Sequence, residues 1–123
     1  MSELIKEEIK MSYGEPPYDI HIEVRSAGDD VFAIVTGGTR PHIGAIALAE
    51  PSGVSILQAS GHKDAVIAEM FAKGLHEKCG VNVCVSAGVH VDDATSEEIA
   101  LLIANAKSLL TYVCEAAGRP SCP

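Results

Sequence analysis

The apolar positions along the chain change period twice. From Tyr18 to Arg25, Ile20, Ile22 and Val24 alternate with Asp19, His21, Glu23 and Arg25, the two-residue repeat of a half-buried strand. Val31 to Thr36, Ile43 to Ala49 and Val54 to Ala59 are short apolar runs, and the turn-forming stretches SAGDD (26–30) and EPSG (50–53) separate them. This pattern predicts four strands with short links, arranged as an antiparallel meander. Ile67, Met70, Phe71, Gly74 and Leu75 then recur at helical spacing. They predict an amphipathic helix over Lys63 to Cys79, with Ser60 as N-cap and Gly80 as stop. Val81 to Val85 predicts a fifth strand, and Ser86 to Asp93 a loop. Thr95-Ser96-Glu97-Glu98 fits a capping box. The helix behind it turns Ile99, Leu102, Ile103, Ala106, Leu109, Leu110 and Val113 inward, and Gly118 and Pro120 end it.

The order β-β-β-β-α-β-α predicts an α+β fold, a mainly antiparallel β-sheet with two helices packed on one face. Residues 18–118 make up that domain. Residues 1–17 read as an extension in which Leu4, Ile5, Ile9 and Met11 dock loosely, before Gly14-Glu15-Pro16-Pro17 breaks any helix. Residues 119–123 read as a loose tail.

Composition narrows the function classes. The chain has 123 residues, 47% of them hydrophobic, enough for one packed domain. A formal net charge of −8, 4% aromatics and no Trp argue against nucleic acid as a partner. No apolar run approaches the roughly 18 to 20 residues of a bilayer span. The charged start MSELIKEEIKM holds no signal core, so a cytosolic location is expected. Cys79, Cys84, Cys114 and Cys122 show no CxxC spacing and read as reduced thiols.

Three short motifs place a histidine beside glycine near a strand end: Arg40-Pro41-His42-Ile43-Gly44, Gly61-His62-Lys63-Asp64 and Gly88-Val89-His90-Val91-Asp92. If their strands are neighbours, the three could meet at one sheet edge. One chemistry is a metal site from His42, His62 and His90, suited to a small metal-dependent hydrolase, although the spacing matches no compact ligand motif. A second is an anion pocket. Gly37 and Gly38 would turn backbone N–H groups to a phosphate and Arg40 would clamp it. His62 and Lys63 would add the start of a helix. A third is acid–base chemistry by His90 with Asp92 or Asp93, which share a stretch of chain. The two aspartates also stand just before the last helix and read more simply as its caps. A protein-assembly chaperone without small ligand, working through an exposed apolar patch or strand edge, fits the same composition.

With TGG, RPHIGA, GHKD and AGVHVDDAT in view, the chain resembles the prenylated-flavin chaperone (LpdD-like) family. Its members are small proteins associated with UbiD-type aromatic acid decarboxylases. The resemblance covers roughly Ile20 to Leu110. It implies a fold similar to proteasome-assembly chaperones, frequently homodimeric, and a non-catalytic role in holding prenylated FMN, or FMN itself, for a partner decarboxylase. On that basis Gly37, Gly38, Arg40, His42, Gly44, His62, Lys63, His90 and Asp92 are the expected ligand-binding residues.

Overall fold

The computed structural model of the chain describes residues 8–59 and 62–117, with the backbone alone for His62. Eight elements follow in the order β1 (Ile9–Tyr13), β2 (Ile20–Ala27), β3 (Asp30–Gly38), β4 (Ala45–Glu50), β5 (Gly53–Gln58), α1 (His62–Cys79), β6 (Val83–His90) and α2 (Ser96–Ala117). The expected α+β architecture holds, a six-stranded sheet carrying two helices.

Connectivity departs from the meander. The sheet order is β1-β2-β3-β6-β4-β5, so β6 enters between β3 and β4. It runs parallel to β3 and antiparallel to β4. The reason lies in burial. Val83, Val85, Ala87 and Val89 are fully buried, and a strand that apolar is stable only in the middle of a sheet. Local spacing cannot reveal this, because β6 reaches its place only after α1 has crossed the sheet.

Two other expectations change. Residues 86–90 continue β6 and do not form a loop. Residues 9–13 form an edge strand, with Ile9, Met11 and Tyr13 opposite Val24, Ile22 and Ile20, in place of a loosely docked segment. Ser60, Gly61, Gly118, Pro120 and Cys122 lie outside the described residues.

The core lies between the sheet and the helices. Ile20, Ile22, Val24, Val31, Ala33 and Val35 face inward from β2 and β3. Ala45, Ala47 and Ala49 of β4 are buried beneath α1, where their small side chains allow the helix to lie close. Phe71, Ile67 and Leu75 of α1 fill the space above them. Gly80 ends α1 at φ +71°, its N–H donating to the His76 carbonyl at 2.8 Å, a helix stop of the expected kind. At the head of α2 the capping box forms as written. The Thr95 N–H donates to Glu98 Oε1 at 2.8 Å and the Glu98 N–H donates to Thr95 Oγ1 at 3.1 Å.

By length and composition α2 also qualifies to cross a bilayer, with a mean hydropathy of 1.4, which corrects the expectation that no segment does. Its Leu102, Ala106, Leu109 and Val113 are buried here, and it packs on β1, β2 and α1.

Phe71 is the largest fully buried side chain. Phe71→Ala should therefore cost about 3–5 kcal/mol of stability, measured by urea unfolding. A loss below about 1 kcal/mol would mean that α1 is not seated as described.

Candidate functional site

The parallel strands β3 and β6 end side by side, Gly38 opposite His90. The chain then crosses over the end of β6 to reach β4. Hydrogen bonds hold the crossing down: the Thr39 and Arg40 N–H groups donate to the His90 carbonyl at 2.8 and 3.3 Å, and the Gly44 N–H donates to the Ala87 carbonyl at 2.9 Å. Gly88 makes the close passage possible, since a Cβ there would overlap the His42 carbonyl.

Asp64, in the first turn of α1, sits under this crossing and is 3% exposed. Its Oδ1 accepts the Val89 N–H at 2.9 Å. Its Oδ2 lies 2.9 Å from His42 Nε2, while His42 Nδ1 lies 3.0 Å from the Arg40 carbonyl. Lys63 Nζ donates to the Val89 carbonyl and stands 3.9 Å from Asp64 Oδ1. Gly44 leaves room for the carboxylate, because a Cβ there would overlap Oδ2. One buried anion thus ties the loop, β6 and α1 together, in the position a helix N-terminus favours for negative charge.

A second group lies in the open. Asp92 Oδ1 accepts from Arg40 at 2.5 Å and from His90 Nε2 at 2.9 Å. The Arg40 and Asp92 side chains are 66% and 64% exposed, so solvent screens the pair and its net worth is small. The hydrogen bond from His90 first, then the Arg40 charge, holds the Asp92 carboxyl below its ordinary value. The imidazoles of His42 and His90 meet edge to face, their centroids 6.2 Å apart.

The sequence-picked residues therefore divide. Arg40, His90 and Asp92 form the exposed group, and His42, Lys63 and Gly44 surround Asp64. Gly37 and Gly38 close β3: a Cβ on Gly37 would crowd the Asp19 carbonyl, and the Gly38 N–H donates to that carbonyl at 3.2 Å. The Gly38, Thr39, Arg40 and Gly44 amides thus point inward and not into an anion cradle. Asp92 does not cap α2, a task Thr95 performs. The His62 side chain lies outside the described residues, and among these no three His, Cys, Asp or Glu side chains gather as metal ligands. Asp64 is the residue that sequence reasoning missed; an acid in the first turn of a helix, beside His62 and Lys63, was the available signal.

At the same end of the sheet, between turn 14–18 and α2, lies a cavity of about 470 Å³ lined by Tyr13, Gly14, Glu15, Tyr18, Leu101 and Asn105. The Tyr13 ring stacks on Tyr112 at 5.9 Å, and the Tyr18 hydroxyl donates to Glu98 Oε2 at 2.6 Å. That bond is the main cause that raises the Tyr18 pKa and lowers that of Glu98. The cavity gave no sequence signal, since its residues come from both ends of the chain.

Fold and site define a small α+β scaffold with a histidine- and glycine-rich crossing at the end of a parallel strand pair. The chain belongs to the prenylated flavin chaperone LpdD-like domain family, whose model matches residues 14–118. It is 34% identical over 89 residues to Protein LpdD of Lactiplantibacillus plantarum, an alignment that takes in 68% of this chain and spans 65% of that protein's length. Its fold is similar to that in the crystal structure of a chaperone complex for yeast 20S proteasome assembly. The TM-score is 0.59 at 16% identity, over 89% of this chain and 92% of that one.

Both depressed carboxyls set an acid limit. Asp92 and Glu98 contribute stability above their ordinary values of 3.8 and 4.5, and that contribution is lost as the pH falls through their lower folded values. Thermal melts through this range should show a shallower acid decline for the double variant Asp92→Asn, Glu98→Gln than for the parent. Parallel declines would remove both contacts from the account.

Proposed function

We propose that the chain is a non-catalytic chaperone for a phosphorylated flavin, prenylated FMN or FMN, which it holds for a UbiD-type decarboxylase. The observation that carries this reading is the convergence of exposed Arg40 and His90 on a single Asp92 oxygen, at the carboxyl ends of β3 and β6, where open sheets with parallel strands receive their ligands. The donor set suits a phosphate monoester: a planar guanidinium fork and an imidazole 52 and two residues from Asp92 along the chain. Asp92 holds both donors in place and yields them when the stronger phosphate anion arrives. Family membership supports the chaperone part of the reading. His42, Lys63 and Asp64 keep the loop in position and do not touch the ligand.

Arg40→Ala should weaken FMN binding by roughly 1.5 to 3 kcal/mol, the worth of a charged hydrogen bond. Asp92→Asn should strengthen it by removing the competing carboxylate. Isothermal titration with FMN reads both; unchanged affinity in Arg40→Ala would rule out this clamp.

The same reading includes a homodimer. The sheet face away from the helices carries Phe32, Ile34, Leu48 and Leu57, the last 73% exposed. The register aligns them in two rows: Phe32, Cys84 and Leu48, then Ile34, Ser86, Ile46 and Leu57. On β2 the rows continue into Arg25 and Glu23, so the uncharged stretch spans β3, β6, β4 and β5. In a chain of net charge −8, this neutral face is where a second copy can approach without repulsion, in a self-complementary two-fold contact. Leu57→Asp with Ile34→Asp should convert a dimer to a monomer in light scattering after size exclusion. A parent that runs as a monomer at high concentration would sink the idea.

A further inference from the structure

The cavity beside turn 14–18 has the volume of a small-molecule site, within the usual range of about 300–1,000 Å³. Contacts within the chain orient its aromatic walls. Tyr112 holds the Tyr13 ring by stacking, and Glu98 holds the Tyr18 hydroxyl. Asn105 is only 9% exposed. Its Nδ2 donates to the Tyr18 carbonyl at 2.9 Å, which fixes the amide orientation, because a carbonyl can only accept. Its Oδ1 accepts no hydrogen bond from the described residues. No buried side-chain polar atom among them lacks a partner, so this oxygen is reached from the cavity side. A nearly buried side chain thus presents one unpaired acceptor among two tyrosine rings and Leu101. Glu15 at the rim repels anions.

We infer that this cavity receives a flat, uncharged heteroaromatic ring with an N–H edge, the ring of the flavin-type ligand. The assignment rests on the phosphate reading of the Arg40 group. The tyrosines and Leu101 cover the ring faces, and Asn105 Oδ1 accepts its N–H. Placement agrees with this. Tyr13, Ile20, Gly37 and Val89 are successive register partners across β1, β2, β3 and β6, and His90 follows Val89. Three strand spacings separate the Tyr13 and Val89 backbones by about 14 Å along the sheet end, the scale of FMN from ring to phosphate.

Riboflavin, which has the ring and no phosphate, tests this on the full chain. Its fluorescence reads binding, and thermal melts confirm that each variant is folded. Leu101 is 42% exposed, so Leu101→Trp fills the cavity without disturbing the core; Tyr13→Leu removes a wall by a second route. Wild-type protein should bind riboflavin, and each substitution should weaken it by about tenfold. Equal riboflavin binding by folded Leu101→Trp and Tyr13→Leu overturns the assignment. Binding of FMN with none of riboflavin overturns it too, while the phosphate reading stands. Binding of neither overturns both.

Discussion

The buried carboxylate of Asp64 is the constraint on which the site end of the molecule depends. A lone charge at that depth would cost several kcal/mol, and the surroundings are arranged so that it is never alone. Val89 supplies a backbone N–H, His42 reaches down from the crossing loop, and Lys63 stands alongside. Each partner belongs to a different element, so satisfying one anion fixes three pieces of chain at once. Two glycines are a consequence: Gly44 leaves space for the carboxylate, and Gly88 leaves space for the loop that carries His42. Asp64 is buried with both carboxyl oxygens bonded, so the cluster anchors the crossing loop to β6 and α1.

Around that cluster the exposed charges are on the outside. Arg40 and His90 are bonded to Asp92 at the surface, where the attraction is screened and weak. His42 is bonded to buried Asp64 and His90 to exposed Asp92, so the two imidazoles, in edge contact, stand in different surroundings.

The same division runs through the sheet. One face is closed by α1 and α2 over small and β-branched residues, and on the other Phe32, Ile34, Leu48 and Leu57 stay exposed among the described residues. Closing the first face makes the monomer stable. Leaving the second open gives the fold a surface on which a copy can pack.

Much of this was legible in the chain itself. Strict alternation gave β2, the 3.6-residue stripe gave both helices, and Thr95 with Glu98 gave the cap, because each is set by contacts within a few residues. The His–Gly motifs singled out Arg40, His42 and His90, which the structure sets around the end of β6 in two groups. The strand order was not legible: β6 could be placed between β3 and β4 only by the competition among strands for the buried centre of the sheet. Nor were the separate roles of His42 and His90, which look alike in sequence and differ because Asp64 lies under one and Asp92 in solvent beside the other. Sequence determined the elements and the chemical groups available; the tertiary structure decided which groups meet, because burial and pairing energies act between residues distant along the chain.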